Sequence, residues 1–363
     1  MSYLRKLLMY STFFLKSFRI LLFPLSIIYG FIVFIRNKLY DKNILYSVSF
    51  GLPVICVGNL SVGGTGKSPM VEFLVRNFKD QFKLAILSRG FKRKTKGYCL
   101  ANANSNALEI GDEPMQYFLK FPEVPIAVGE ERIEAIPQLL HDKPETQCVI
   151  LDDAFQHRSI KAGLNILLTE YSDLFTRDFF LPTGDLRDEK ASYKRADIIV
   201  VTKCITSLSE NEKMQIIQEI NPFSFQEIYF TTNKYSKLQH IVDKSKFEEL
   251  NDDTEILLVT GIANPKPLKE LLHDNSKMYY LMEYPDHHIF TIDDWREIKK
   301  KFESIKESKK IILTTEKDAM RFVKFGKDLE NTPLFVIPVV HQFLFNEEEK
   351  FKNKINDFIK KVC

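Results

Sequence analysis

Three features of this 363-residue sequence predict an α/β protein. The expected architecture is a larger domain with a mostly parallel sheet, a second, smaller α/β domain, and an N-terminal membrane-associated helix. The first feature is a glycine-rich turn between an apolar strand and a helix, Val54 to Pro69. The second is the alternation of apolar, β-branched runs with helical stretches from residue 54 to about 225, which suits a parallel sheet covered on both faces. The third is Ile20 to Ile35, 16 residues without a charge.

The totals narrow the class. The length gives room for about two domains with their own cores. The net charge of +3 hides an asymmetry: residues 1–42 hold seven Lys/Arg and one acid, Asp41, and the remainder holds 44 basic and 47 acidic residues. The body is therefore not a polyanion binder, and no nucleic-acid partner is expected. Cys56, Cys99, Cys148, Cys204 and Cys363 are scattered without a CxxC pair. Neither a zinc site nor a disulfide framework follows, and a reducing cytosol fits.

Segment 1–42 comes first. Ile20 to Ile35 falls short of the roughly 20 residues of a full span. Leu7 to Leu15 is also apolar, but Lys16 and Arg19 interrupt it; Arg5 and Lys6 lead, and Arg36, Lys38 and Lys42 follow. No small-residue cleavage site comes next, which argues against a removed signal peptide. The pattern predicts a helix in one leaflet, or a short tilted span, with cations at the headgroups. The alternative is a buried core helix.

Segment 43–225 is the expected phosphate-binding domain. Its predicted strands are Val54–Val57, Leu84–Leu87, Val124–Val128, Val149–Leu151, Asn165–Leu168 and Ile198–Val201. Functional loops belong at their carboxyl ends. In VGNLSVGGTGKSP, Gly63, Gly64 and Gly66 permit backbone angles that other residues resist. Such a loop turns N–H groups toward one point, and the helix behind it adds a positive dipole end. Lys67 supplies charge for β- and γ-phosphates and Ser68 a hydroxyl for Mg²⁺. Asn59, Ser61, Val62, Gly63, Gly64, Thr65, Gly66, Lys67 and Ser68 are the expected nucleotide-binding residues of this P-loop. Ser61 stands where the Walker A pattern wants glycine.

Cys148 to Asp153 is an apolar strand ending in two carboxylates, where a P-loop enzyme keeps its Mg²⁺-holding acid. Asp152 and Asp153 also suit turn or cap roles. Gln156 and His157 follow. Arg89 of SRG either reaches phosphate or is a surface charge. Asp112 and Glu113 of GDEP open a helix and can cap it. Arg132 of GEERI is a phosphate clamp or a helix surface charge. Leu181 to Asp188, LPTGDLRD, is a charged turn of the kind that shapes substrate pockets. ADIIVVTK ends like a guanine-reading strand, but Ile205 stands where that reader needs Asp, so ATP is the expected nucleotide.

Residues 226–250 are expected to be a connector and 251–363 the second α/β domain. There the sequence predicts strands at Ile256–Val259, Ile311–Thr314 and Leu334–Pro338. A helix begins at Pro267 to Leu272, an amphipathic helix runs from its cap Thr291 to Phe302, and a solvated helix covers Glu347 to Lys361. Asp286-His287-His288 offers too few ligands for a closed zinc site, and a carboxylate beside an imidazole suits proton abstraction.

Together these pieces resemble the tetraacyldisaccharide 4′-kinases of lipid A biosynthesis. The resemblance rests on FPLSIIYG, VGNLSVGGTGKSP, LSRGFKR, GDEP, LDDAFQH, LPTGDLRD, VTGIANP, PDHH and TTEKD, in that order. It implies transfer of the γ-phosphate of ATP, with Mg²⁺, to the 4′-hydroxyl of a membrane-borne tetraacyl disaccharide 1-phosphate, giving lipid IVA. It also implies two α/β domains with the active site in their cleft, and an N-terminal helix docked on the cytoplasmic face of the inner membrane. A monomer is expected. By the family's pattern Thr65, Lys67 and Ser68 belong to the P-loop site. Asp112 and His287 look like the pair that deprotonates the sugar hydroxyl. Asp152 and Asp153 look like metal or general-base support; Arg89, Arg132, Gln156 and Arg187 are the expected substrate contacts. The family usually reads LRE where this chain has Leu186-Arg187-Asp188, so the acid expected at the metal, Asp188, is one methylene shorter. The rival readings are a P-loop GTPase or ATPase acting on a protein or metal partner, and a membrane-bound nucleotide-binding scaffold without chemistry.

Overall fold

The computed structural model describes residues 19–262, 264–286 and 288–362. The chain divides into two compact units. The first gathers the chain up to Arg89, Val124–Asn233 and the segment from His341 onward; the second gathers Gly90–Glu123 and Lys234–Val340. The contiguous division expected from sequence is thus corrected at two places. Residues 90–123 fold with the second unit, and the last segment returns to the first. Both segments are ordinary α/β sequence, so composition carries no trace of either excursion.

In the first unit the strands lie in the order Val339–Phe343, Glu227–Tyr235, Ile198–Thr202, Leu164–Glu170, Val54–Asn59, Cys148–Asp152, Leu84–Ser88, Ile126–Val128. From Glu227–Tyr235 to Ile126–Val128 the neighbours are parallel. All six residues of Val54–Asn59 are buried, which is why that strand has no polar face. It is central, and the chain passes to either side of it. The turn that follows therefore sits at a topological switch point, where such sheets bind ligands. Glu227–Tyr235 corrects the expected connector: it is a sheet strand, registered on Ile198–Val201.

The expected solvated C-terminal helix is corrected too. Glu348–Val362 buries Phe351, Ile355 and Ile359, one every four residues. Phe351 packs against Phe73, Tyr229 and Phe343 of the same unit.

The helix Phe23–Asp41 inverts the usual amphipathic pattern. Its buried residues are Ser26, Gly30, Val33 and Asn37, a single stripe. Leu25, Ile27, Ile28, Phe31, Ile32, Phe34 and Ile35 are exposed. The small and polar stripe docks on the turn of residues 179–189. Ser26 Oγ donates to Thr183 Oγ1 at 2.8 Å, Tyr29 Oη to the Arg187 carbonyl at 3.0 Å, and Asn37 Nδ2 to Asp188 Oδ1 at 2.8 Å. A Cβ on Gly30 would stand 2.7 Å from the Phe180 ring. A core helix would bury its apolar face, so that alternative is excluded. Ile20–Asp41 is long and apolar enough to cross a membrane. The other apolar stretch, Leu7 to Leu15, lies outside the described residues.

The second unit has a sheet in the order Phe247–Glu248, Leu238–His240, Leu334–Ile337, Lys310–Thr315, Glu255–Thr260, Met278–Glu283. The last four are mutually parallel. Its core gathers Ile256, Leu258, Leu272, Leu313 and Ile337. Thr291 caps the helix Ile292–Glu303 in a reciprocal box with Asp294.

Candidate active site

The turn after Val54–Asn59 leads into the helix Lys67–Phe78 through Gly66, whose φ of +88° is left-handed. A Cβ on Gly63 or Gly64 would meet nothing within 4 Å, so the outer face of the turn is open. Ser61 needs no glycine because it forms an extended bridge with Leu186. Val62 N–H donates to the Asp185 carbonyl at 2.7 Å, and Arg187 N–H to the Leu60 carbonyl at 2.8 Å. The charged turn of residues 181–188 thus braces the P-loop from one side and carries the N-terminal helix on the other. Asn59 Nδ2 and Thr65 Oγ1 are buried without a hydrogen-bond partner. Lys67 Nζ folds back toward Asn59 Oδ1 at 3.3 Å and Asp153 Oδ1 at 3.8 Å.

Asp152 ends its strand in register with Val57, beside the start of the turn. Its Oδ2 accepts from Ser88 Oγ at 3.1 Å. Asp153 follows with a positive φ of 50°. Its carboxylate accepts a fork from Arg187, one arm at 3.1 Å, and Arg187 also donates to Asn59 Oδ1. Burial alone would raise the Asp153 carboxyl, but Lys67 and Arg187 hold it down at about 2. Gln156 Nε2 donates to the Asn59 carbonyl at 2.7 Å.

Arg132 is 1 % exposed, so it is not a surface charge. It donates to the carbonyls of Gly129 at 3.0 Å and Asp152 at 3.4 Å. Burial lowers it to about 10, with Asp152 opposing, and it stays a cation at neutral pH. Burial, with Arg132 and Arg89, pushes His157 down to about 4 and keeps it neutral. Arg89 itself is exposed at the end of its strand. Asp188 is 1 % exposed. Its Oδ1 accepts from Asn37 and from the Glu189 N–H, both at 2.8 Å, and its Oδ2 accepts from Arg195 at 2.9 Å. Both oxygens are occupied in holding the helix and the turn together.

The donor chemistry fits a metal-nucleotide. The orphaned Thr65 hydroxyl, the open face over Gly63 and Gly64 and the Lys67 ammonium suit a phosphate chain. Ser68 and Asp152 are oxygen donors, which suit Mg²⁺ rather than a soft metal.

In the second unit Asp112 is the first residue of the helix Asp112–Lys120. Its Oδ2 accepts from Arg321 Nη2 at 2.5 Å and Nε at 3.2 Å. Arg321 also pairs with buried Asp318 at 3.0 Å. Glu113 pairs with Lys317 at 2.9 Å, and Lys120 pairs with Glu316. The TTEKD run therefore serves as a frame for the GDEP helix. Asp318 also accepts from the Gly261 N–H at 2.9 Å, tying in VTGIANP. His288 Nε2 meets Asp294 Oδ2 at 2.9 Å, a bond within the PDHH turn and the helix after it. The expected catalytic His287 lies outside the described residues. Sequence reasoning missed Arg321 and His341; for Arg321 the signal was its spacing, three residues after Asp318 on the same helix.

The family described as tetraacyldisaccharide-1-P 4′-kinase matches residues 18–360. A tetraacyldisaccharide 4′-kinase of Bacteroides thetaiotaomicron is 42 % identical over 352 residues, with 93 % of each chain covered. That of Flavobacterium johnsoniae is 44 % identical, covering 94 % of this chain and 97 % of its own. A crystal structure of LpxK from Aquifex aeolicus in complex with ATP superposes with a TM-score of 0.74 at 28 % identity, covering 94 % of this chain and 99 % of that one.

Proposed function

The chain belongs to the tetraacyldisaccharide-1-P 4′-kinase family, and from that premise we propose how its residues divide the work. It is an ATP-dependent lipid kinase of lipid A biosynthesis, phosphorylating the 4′-hydroxyl of a tetraacyl disaccharide 1-phosphate. The observation that carries the assignment of roles is the P-loop at the switch point, with Lys67, Asp153 and Arg187 converging beside it.

Phosphoryl transfer needs little covalent work from the protein, so positioning and charge neutralisation dominate. N–H groups of residues 63–68 and the Lys67 ammonium hold the β- and γ-phosphates. Ser68 and Asp152 hold Mg²⁺, which when bound offsets charge on those phosphates. Asp153 keeps Lys67 and Arg187 aimed before nucleotide arrives. Arg89, Arg132 and Gln156 line the same strand ends. Asp188 serves as an anchor and is left out of the metal set. Asp112, oriented by Arg321, takes the proton from the attacking hydroxyl with His287. The exposed apolar face of Phe23–Asp41, with Arg36, Lys38 and Lys42 at its end, supports docking on the cytoplasmic face of the inner membrane, where the lipid acceptor resides.

Asp112→Asn and His287→Ala are each expected to lower turnover at least a hundredfold while the Kd for MgATP stays within about threefold. Equal losses in turnover and nucleotide binding would contradict these roles.

A further inference from the structure

The strand Val339–Phe343 brings His341 to the back of the P-loop. The side chain is 4 % exposed. Its Nε2 lies 2.9 Å from the Gly66 carbonyl, and its Nδ1 lies 3.0 Å from Thr231 Oγ1. A carbonyl only accepts, so Nε2 carries the proton and donates to Gly66. In the neutral ring Nδ1 is then the acceptor, and the Thr231 hydroxyl donates to it. Next to it, Thr202 Oγ1 donates to the Thr65 carbonyl at 2.9 Å. Thus two consecutive carbonyls of the loop, Thr65 and Gly66, are held from behind by side chains.

A trans peptide points its C=O and the following N–H in opposite directions. Pinning the Thr65 carbonyl fixes the direction of the Gly66 N–H. Pinning the Gly66 carbonyl, which also takes the helical bond from Met70 N–H at 3.1 Å, fixes that of Lys67. These are the N–H groups that open the helix Lys67–Phe78, the kind of end that suits an anion. The steric side agrees: a Cβ on Gly66 would stand 2.9 Å from the imidazole, so the ring and the glycine are fitted to each other.

We propose that His341 is a positioning residue for phosphoryl transfer, acting through the Gly66 peptide to preorganise the P-loop N–H groups for the nucleotide phosphates, with Thr231 selecting its tautomer. Thr202 is its counterpart at Thr65. The threonine of the ADIIVVTK run thereby gains a role other than base reading.

The inference rests on residues 61–68 being the ATP-phosphate site, and the test separates the two. MgATP binding to the full chain is measured by calorimetry, and turnover by phosphate transfer, for His341→Ala, His341→Gln, Thr231→Val and Lys67→Ala. Gln keeps an N–H near the Nε2 position; Thr231→Val leaves the ring in place and removes only the hydroxyl, so it serves should His341→Ala fail to fold. Expected are a Kd and KM for MgATP raised about tenfold in His341→Ala and several-fold in Thr231→Val. His341→Gln should return to within about threefold of the parent, and KM for the lipid acceptor should be unchanged in the His341 and Thr231 variants. Wild-type nucleotide affinity in folded His341→Ala or Thr231→Val, with Lys67→Ala impaired, would overturn the role of His341. A glutamine variant as impaired as the alanine one would also overturn it. Undiminished MgATP binding in Lys67→Ala would instead overturn the reading of the loop.

Discussion

Asp153 sits between two cations, and two histidines sit where no cation is welcome. His157 and His341 are both pushed from an ordinary value near 6.5 to about 4, chiefly by burial. Between those values the unfolded chain binds a proton at each residue that the folded chain refuses. Stability therefore falls as pH drops from about 6.5 to about 4, with a slope of about two protons from these residues. Urea unfolding at pH 7, 6 and 5 measures it, and His341→Gln is expected to remove about half of that slope. An unchanged slope would mean that the imidazole binds its proton alike in the folded and unfolded chain. The placement of residues with a motif around them was legible in the sequence: Lys67, Asp112, Asp152 and Asp153 stand at strand ends or helix starts. Arg321 and His341 were not legible. Each meets its partner across a long loop, Asp112 at a separation of 209 residues and Gly66 at 275. Nothing local marks His341, and for Arg321 only its spacing from Asp318 on one helix does.

At the scale of elements, the N-terminal helix separates two kinds of residue by face. Asn37 is fully buried and gives its amide to Asp188, a buried carboxylate. Asn37→Ala is expected to cost about 2 kcal/mol in denaturant unfolding, the cost of removing a donor to a buried charge. Ile28 and Ile32 are 58 % and 60 % exposed. Their replacement by serine is expected to leave stability within about 0.5 kcal/mol. It should weaken flotation with anionic vesicles at least tenfold, because each isoleucine side chain moved into a bilayer is worth about 2 kcal/mol. Stability loss from the serine variants with flotation intact would mean that the exposed face packs on protein. The six strands predicted between residues 54 and 201 were readable to within about two residues because buried apolar, β-branched runs mark them. The C-terminal helix was misread as solvated. Its charges are frequent, and only the four-residue spacing of Phe351, Ile355 and Ile359 reveals the buried side. Glu227–Tyr235 was misread because polar Thr231, Thr232 and Asn233 interrupt its apolar run.

For the molecule as a whole, the fold class and the family were legible because nine motifs occur in order along the chain. The division into units was not. It depends on which surfaces pair after folding, such as the ion pairs of the helix Asp112–Lys120 with Glu316, Lys317 and Arg321. The central claim is that this chain moves the terminal phosphate of ATP onto a lipid-borne sugar hydroxyl. The direct measurement is transfer from γ-labelled ATP, with Mg²⁺, to a detergent-dispersed tetraacyl disaccharide 1-phosphate, with the position of the label in the product determined and Lys67→Ala alongside. Label at the 4′ position that requires the acceptor and is lost in Lys67→Ala is the predicted result. ATP hydrolysis at a rate indifferent to the lipid, with no label in it, would contradict the account.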